Sequence, residues 1–220
     1  MTARDIYCIS GLGADERVFK NVDLPNRTLH HVRWIDPRED ESLAGYVGRL
    51  SEQVAIEPPP VLLGVSFGGV VALEMSRLVS PALTILVSSV REPHQIPWYY
   101  RWAAGPGLHK LTPVNISQHT APIIKYFNGV ITEEDEQLLE AMIIDTDTHF
   151  SRWAVDRLLH WSGCDPIGEV VHVHGTADRL LPIRYVAPDI RIEAGTHLMV
   201  INRAGDVSRI IETILTDRGL

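Results

Sequence analysis

Cysteine is nearly absent: the 220 residues hold only Cys8 and Cys164. Two thiols cannot make a disulfide framework. They read as idle thiols in a reducing compartment, with a single bridge between them as the alternative. Positive charge is scarce as well. Lys and Arg number 20 against 28 Asp and Glu, a formal charge of −8 with no basic cluster, which argues against a nucleic-acid-binding surface. No apolar run approaches the length that crosses a bilayer. Met1-Thr2-Ala3-Arg4-Asp5 leads into a strand candidate too short for a signal-peptide core, and no small-residue cleavage site follows. Repeats and low-complexity tracts are missing too. These absences predict a cytoplasmic globular chain, one domain or one domain with an insertion, long enough to bury a core.

What is present centres on residues 61–73. Val61-Leu62-Leu63 opens a short apolar run after Pro58-Pro59-Pro60, which reads as a strand buried on both faces. Val70, Val71, Leu73, Met75, Leu78 and Val79 are spaced as a helix. Between them stands Gly64-Val65-Ser66-Phe67-Gly68, a G-x-S-x-G pentapeptide at a strand-to-helix turn. The glycine and serine content would produce that pattern only about 0.06 times by chance. A serine on so sharp a turn needs neighbours without bulk, which Gly64 and Gly68 supply, and Gly69 lets helix and strand pack closely. The turn would lift the Ser66 hydroxyl clear of the sheet and leave the Phe67 N–H free to face a developing oxyanion.

Along the chain, Ile6–Ile9 reads as the first strand, ended by Ser10-Gly11-Leu12-Gly13. A short helix with Asp15 near its start should follow. His31–Ile35 reads as a second strand and Ser42 to Ala55 as an amphipathic helix. Leu83–Val87 is a further all-buried strand. The β-α-β-α-β-α-β order calls for a parallel sheet with helices on both faces. From Arg91 to about Gly163 the pattern changes to helical patches and loop signals, broken early by Pro93, Pro97, Pro106, Pro113 and Pro122. Thr132 with Asp135 marks one helix start, and Trp153 to Trp161 reads as another helix. Such an insertion looks like a lid. Trp98, Tyr99, Tyr100 and Trp102 either meet an apolar substrate or hold the lid to the body; Trp98, Tyr99 and Trp102 are taken as candidate pocket residues. Strands return at Glu169–His174 and Ile190–Glu193, and a helix closes the chain from about Ala204 to Thr216. The expected fold is α/β, a mostly parallel sheet of about six strands, with residues 1–90 and 164–220 as core and 91–163 as helical lid insertion.

A serine hydroxyl needs a base to take its proton, and the base needs a carboxylate to fix its tautomer. Asp178 follows one late strand and His197 the next. In a parallel sheet the loops after the strands emerge on one edge, so both can meet Ser66. Glu92 and Asp165 are rival acids, and Asp178 is also ordinary turn chemistry. His172 and His174, two apart on one strand, share a face and invite a metal reading. No third ligand is spaced to complete it, so both read as core or supporting groups and no metal is expected. The Leu12 N–H, in the loop after the first strand, is the expected second oxyanion donor beside that of Phe67.

Gly64-Val65-Ser66-Phe67-Gly68-Gly69, His174-Gly175-Thr176-Ala177-Asp178 with Pro182, and Gly195-Thr196-His197 together resemble the α/β-hydrolase superfamily, over nearly the whole chain apart from the lid. The resemblance implies Ser66 as nucleophile, Asp178 as acid, His197 as base and no cofactor. It is nearest to small lidded carboxylesterases, including those acting on acyl-carrier-protein methyl esters. Ser10-Gly11 stands where the family often has His-Gly, and Val65 where it often has histidine. The first two strands of the full fold are missing, a minimal version. The expected activity is hydrolysis of an ester or thioester of a small or medium acyl group, with an acyl-carrier protein as a conceivable partner. Alternatives are C–C hydrolase, cofactor-free haloperoxidase or lyase chemistry, or a ligand-binding receptor with little turnover.

Overall fold

Six short strands carry the architecture: β1 (Ile6–Ile9), β2 (Leu29–Val32), β3 (Val61–Val65), β4 (Leu83–Val87), β5 (Val170–Gly175) and β6 (Ile190–Ile192). The computed structural model describes residues 4–104 and 121–220; Pro106 and Pro113 lie outside them. The strands form one sheet in the order β2-β1-β3-β4-β5-β6, every pairing parallel. The helices are α1 (Leu43–Leu50), α2 (Phe67–Val79), α3 (Trp98–Ala104), α4 (Ala121–Asn128), α5 (Glu133–Asp145), α6 (Thr148–Leu159), α7 (Met199–Asn202) and α8 (Ala204–Asp217).

Alternation along the strands sorts the core into two layers. Ile6, Cys8, Leu63, Ile85 and Val173 face α7 and α8, whereas Ile9, Leu62 and Leu86 face α1 and α2. The inserted helices extend both layers: Leu139 and Met142 of α5 join the first, Phe150 and Ala154 of α6 the second. No strand lies between β4 and β5 among the described residues. Cys8 and Cys164 are both free thiols, the first buried and the second half-buried, and burial pushes each up to about 12.

Two expected spans differ. The second strand covers Leu29–Val32, not 31–35, because β1 ends opposite Val32. Beyond it, side chains take over the backbone groups. Gln53 pairs with the Arg33 amide and carbonyl at 2.9 Å each, and the Tyr46 hydroxyl bonds both the amide and carbonyl of Ile35. The helix expected to Ala55 ends at Leu50 in a 3-10 turn, where the Ser51 hydroxyl donates to the Gly48 carbonyl at 2.7 Å. Thr132 and Asp135 do form a capping box at the start of α5.

The chain runs from β1 outward to β2, then returns to place β3 on the other side of β1. That reversal opens a crevice above the carboxyl ends of β1 and β3. The crevice depends on close backbone approach. A Cβ on Gly68 would overlap the Ile9 and Ser10 carbonyl oxygens, nearer than the 3.0 Å that real Cβ atoms keep. Gly68→Ala should therefore destabilise the fold by about 3 kcal/mol, read as a lower urea midpoint at unchanged slope. A wild-type midpoint would mean the two loops are not held this close.

Candidate active site

Ser66 stands between β3 and α2 with φ 53° and ψ −121°, a strained backbone for a side chain with a Cβ. Its amide is held by the Val87 carbonyl at 3.0 Å, and its own carbonyl accepts the Ser89 hydroxyl at 2.6 Å. The hydroxyl is thereby presented at the crevice. Gly11 presses against it: a Cβ there would lie 3.2 Å from Ser66 Cβ.

The loops that carry Asp178 and His197 are stitched together. Thr176 N–H donates to the Ile192 carbonyl and Ala177 N–H to the Gly195 carbonyl, at 3.0 and 2.9 Å. Asp178 and His197 thus meet, both buried. His197 Nδ1 lies 2.8 Å from Asp178 Oδ2, and His197 Nε2 lies 3.0 Å from Ser66 Oγ. A carboxylate can only accept, so Nδ1 carries the proton and the bare Nε2 faces the hydroxyl. Burial alone would raise the Asp178 carboxyl, but His197, His174 and the Leu181 amide outweigh it and hold it below the usual value. The rival acids stand elsewhere. Glu92 pairs with His94 at 3.1 Å, and Asp165 lines a separate surface hollow with Glu74 and Arg77.

The turn after β1 is closed by two donors on one acceptor: Ser10 Oγ and Trp34 Nε1 reach the Ala14 carbonyl at 2.9 and 3.1 Å. Ser10 therefore anchors this loop through its hydroxyl. Among the described residues neither the Leu12 nor the Phe67 amide has a backbone acceptor. Phe67, at the first position of α2, is left free by helix geometry.

Above Ser66 and His197 lies a cavity of about 350 Å³. Its walls come from both core layers: Val18, Met142 and Leu198 on one side, Val90, Leu158 and Leu181 on the other. Tyr100 and Asn128 add the polar side chains beside Ser66 and His197. Of the aromatics expected at the pocket, Trp98 and Trp102 are 66% and 71% exposed, and among the described residues the cavity lining includes Tyr100 and not Trp98, Tyr99 or Trp102. Tyr99 instead stacks edge-on against Tyr100 and Tyr185.

Sequence reasoning passed over Trp34, Ser89 and the end of α4. Arg179 Nη1 donates to the Tyr126 carbonyl at 3.1 Å, and its guanidinium lies 4.3 Å from the Tyr126 ring centroid. Leu198 N–H reaches the Asn128 carbonyl, and Thr196 Oγ1 and Asn202 Nδ2 reach that of Gly129, at 3.1, 3.1 and 3.2 Å. Both loops thus dock on the last turn of α4. The one signal in the chain was Gly129, which has φ 71° and leaves no room for a Cβ against Thr196. Among the described residues no group of three or more His, Cys, Asp or Glu could hold a metal ion, and no helix is long and apolar enough to cross a membrane.

Among solved structures the chain is similar to BpoC of Mycobacterium tuberculosis H37Rv, a candidate non-heme bromoperoxidase. Identity is 16% and the TM-score 0.72, over 99% of this chain and 93% of that one. It is also similar to a lipase-esterase related protein of Clostridium acetobutylicum ATCC 824, at 12% identity and TM-score 0.68 over 96% and 93%. The N-acyl homoserine lactonase AidH matches at 13% and 0.73 over 98% and 90%. At these identities the likeness is one of fold. No curated protein matches the chain by sequence. A model of the alpha/beta hydrolase family matches residues 4–210, nearly the full length, and with the sheet order above it shows that the chain belongs to the α/β-hydrolase family.

Proposed function

We propose that the chain is a serine hydrolase that cleaves a carboxylic ester or thioester of a small or medium apolar acyl group through an acyl-enzyme. The observation that carries this reading is the Ser66–His197–Asp178 hydrogen-bond chain at the floor of an apolar cavity. Ser66 Oγ forms a bond to the acyl carbon while its proton passes to His197 Nε2. The carbonyl electrons move onto the oxygen, which the Leu12 and Phe67 amides receive. Collapse breaks the bond to the alkoxide or thiolate, which leaves with the His197 proton. Water repeats the cycle and releases the acid.

Ligand cavities run from about 300 to 1,000 Å³, so a volume of about 350 Å³ favours short and medium chains. Hydrolysis of p-nitrophenyl esters and acyl thioesters of rising chain length, beside fluorophosphonate labelling, tests the reading. Labelling and turnover of the short members support it; labelling without turnover on any acyl ester would favour a ligand-binding role. Comparing free and carrier-protein-bound esters decides whether the acyl-carrier-protein resemblance extends to substrate.

Ile143 of α5 lines the cavity and packs against Gly13. Ile143→Phe should shorten the preferred chain, lowering kcat/KM for the longest accepted ester by about tenfold or more while acetate esters change little. An equal loss at every length would remove Ile143 from the substrate wall.

A further inference from the structure

Beside Asp178 stand two more buried imidazoles that the reaction above does not use. His172 and His174 lie on β5 and are fully buried. By alternation with Val171 and Val173 they point to the α2 side of the sheet. His174 Nε2 lies 2.8 Å from the Leu181 carbonyl oxygen and 3.3 Å from Asp178 Oδ2. His174 Nδ1 lies 3.2 Å from His172 Nε2.

The Leu181 carbonyl can only accept, so His174 Nε2 carries a proton. In a neutral ring Nδ1 is then bare and must accept, which makes His172 Nε2–H the donor. His172 Nδ1 is left bare and meets no partner at hydrogen-bond geometry among the described atoms, with the Ser89 backbone beside the ring. The tautomers are thereby assigned in series, from the acceptors backward.

We infer that His174 is a positioning residue for the acid, its ring oriented by His172 so that its Nε2–H donates to the Leu181 carbonyl and faces Asp178 Oδ2 3.3 Å away. Asp178 Oδ1 accepts the Leu181 N–H at 2.8 Å. The His174 ring therefore ties the Leu181 end of the 178–181 turn to β5 and stands 3.3 Å from the carboxylate oxygen that meets His197. This locks the carboxylate plane toward His197, much as outer hydrogen bonds orient a ligand's donor atom. Burial lowers both imidazoles from their usual range, His172 to about 3, and so keeps the pair neutral. The other charged and titratable groups acting on the pair and the acid are Arg91, Asp189, His197 and Tyr100.

The inference rests on the reading of Asp178 as the acid, and it is tested by two separable measurements. In hydrolysis of a short p-nitrophenyl ester, His174→Leu should lower kcat about tenfold with KM within about twofold. The acid limb of the pH profile should move upward: an Asp178 that loses the N–H facing its Oδ2 becomes a stronger acceptor and favours the charged form of His197. His174→Gln, which can present an amide N–H, should restore part of kcat and of the limb. His172→Leu, which removes the donor that orients the His174 ring through Nδ1, should fall between. Unchanged kcat in His174→Leu, or a loss with the limb unmoved and no rescue by Gln, overturns the inference. Nitrogen NMR of the unmutated protein tests it independently of folding and of turnover. Both rings should be neutral Nε2–H tautomers at about pH 7, and an Nδ1–H tautomer or an imidazolium in either ring at that pH overturns it. Loss of activity in Ser66→Ala bears only on the reading of function, so the two can fail separately.

Discussion

Ser66→Ala should abolish fluorophosphonate labelling and lower kcat for a short acyl ester by about 10⁴- to 10⁶-fold, leaving a residue of catalysis from binding and the amide donors. The size follows from the arrangement. His197 Nε2 sits 3.0 Å from the hydroxyl, and with that oxygen gone there is no group within the cavity to form the acyl bond. The fold should tolerate the change. Alanine keeps the Cβ that rests against Gly11, and the strained φ of 53° is already accommodated by serine, so the thermal midpoint should move by only a few degrees. Retained turnover in the folded variant would sink the nucleophile assignment. A loss of turnover accompanied by unfolding would be read instead from labelling of the unmutated protein and identification of the labelled peptide.

Asp178→Asn should cost about 10³- to 10⁴-fold in kcat with little change in KM. An asparagine amide turned toward His197 would donate to Nδ1. The imidazole proton would then move to Nε2, where it faces Ser66 and cannot accept the hydroxyl proton. Asp178 is buried and keeps three neighbours, His197, His174 and the Leu181 amide, so no other carboxylate can swing in. Glu92→Gln and Asp165→Asn are the controls and should keep wild-type kcat, because Glu92 pairs with His94 and Asp165 borders a different hollow. If Asp178→Asn lost less than about tenfold, or either control lost as much, the acid would have to be reassigned.

That Ser66, Asp178 and His197 meet was legible in sequence because each follows a strand of the sheet. Parallel pairing forces the ends of β3, β5 and β6 to one edge whatever the remaining side chains do, so spacing after a strand translates directly into proximity. The strand spans were nearly as readable, since Leu83–Val87 and Ile6–Ile9 are apolar runs with breakers at both ends. Where β2 ends was not, because Gln53 and Tyr46, remote in sequence from Arg33 and Ile35, capture the backbone groups there. The aromatic cluster shows the same limit. Trp98 and Trp102 are four apart and share a helix face, with Tyr100 about opposite. The spacing divides α3 into two faces without saying which one meets the cavity. Packing of α3 against α6, and of Tyr99 on Tyr185, turns Tyr100 inward.

By itself the sequence determined the strand-turn-helix at Ser66, the glycine positions that let it form and the order in which acid and base arrive at the sheet edge. These depend on local backbone sterics and on strand periodicity. Tertiary structure decided which side chains wall the cavity, that the loops carrying Asp178 and His197 dock on the end of α4, and which groups the nitrogens of each buried histidine face. Those outcomes depend on partners far away in the chain, and hydrogen bonds among such partners have no period to read.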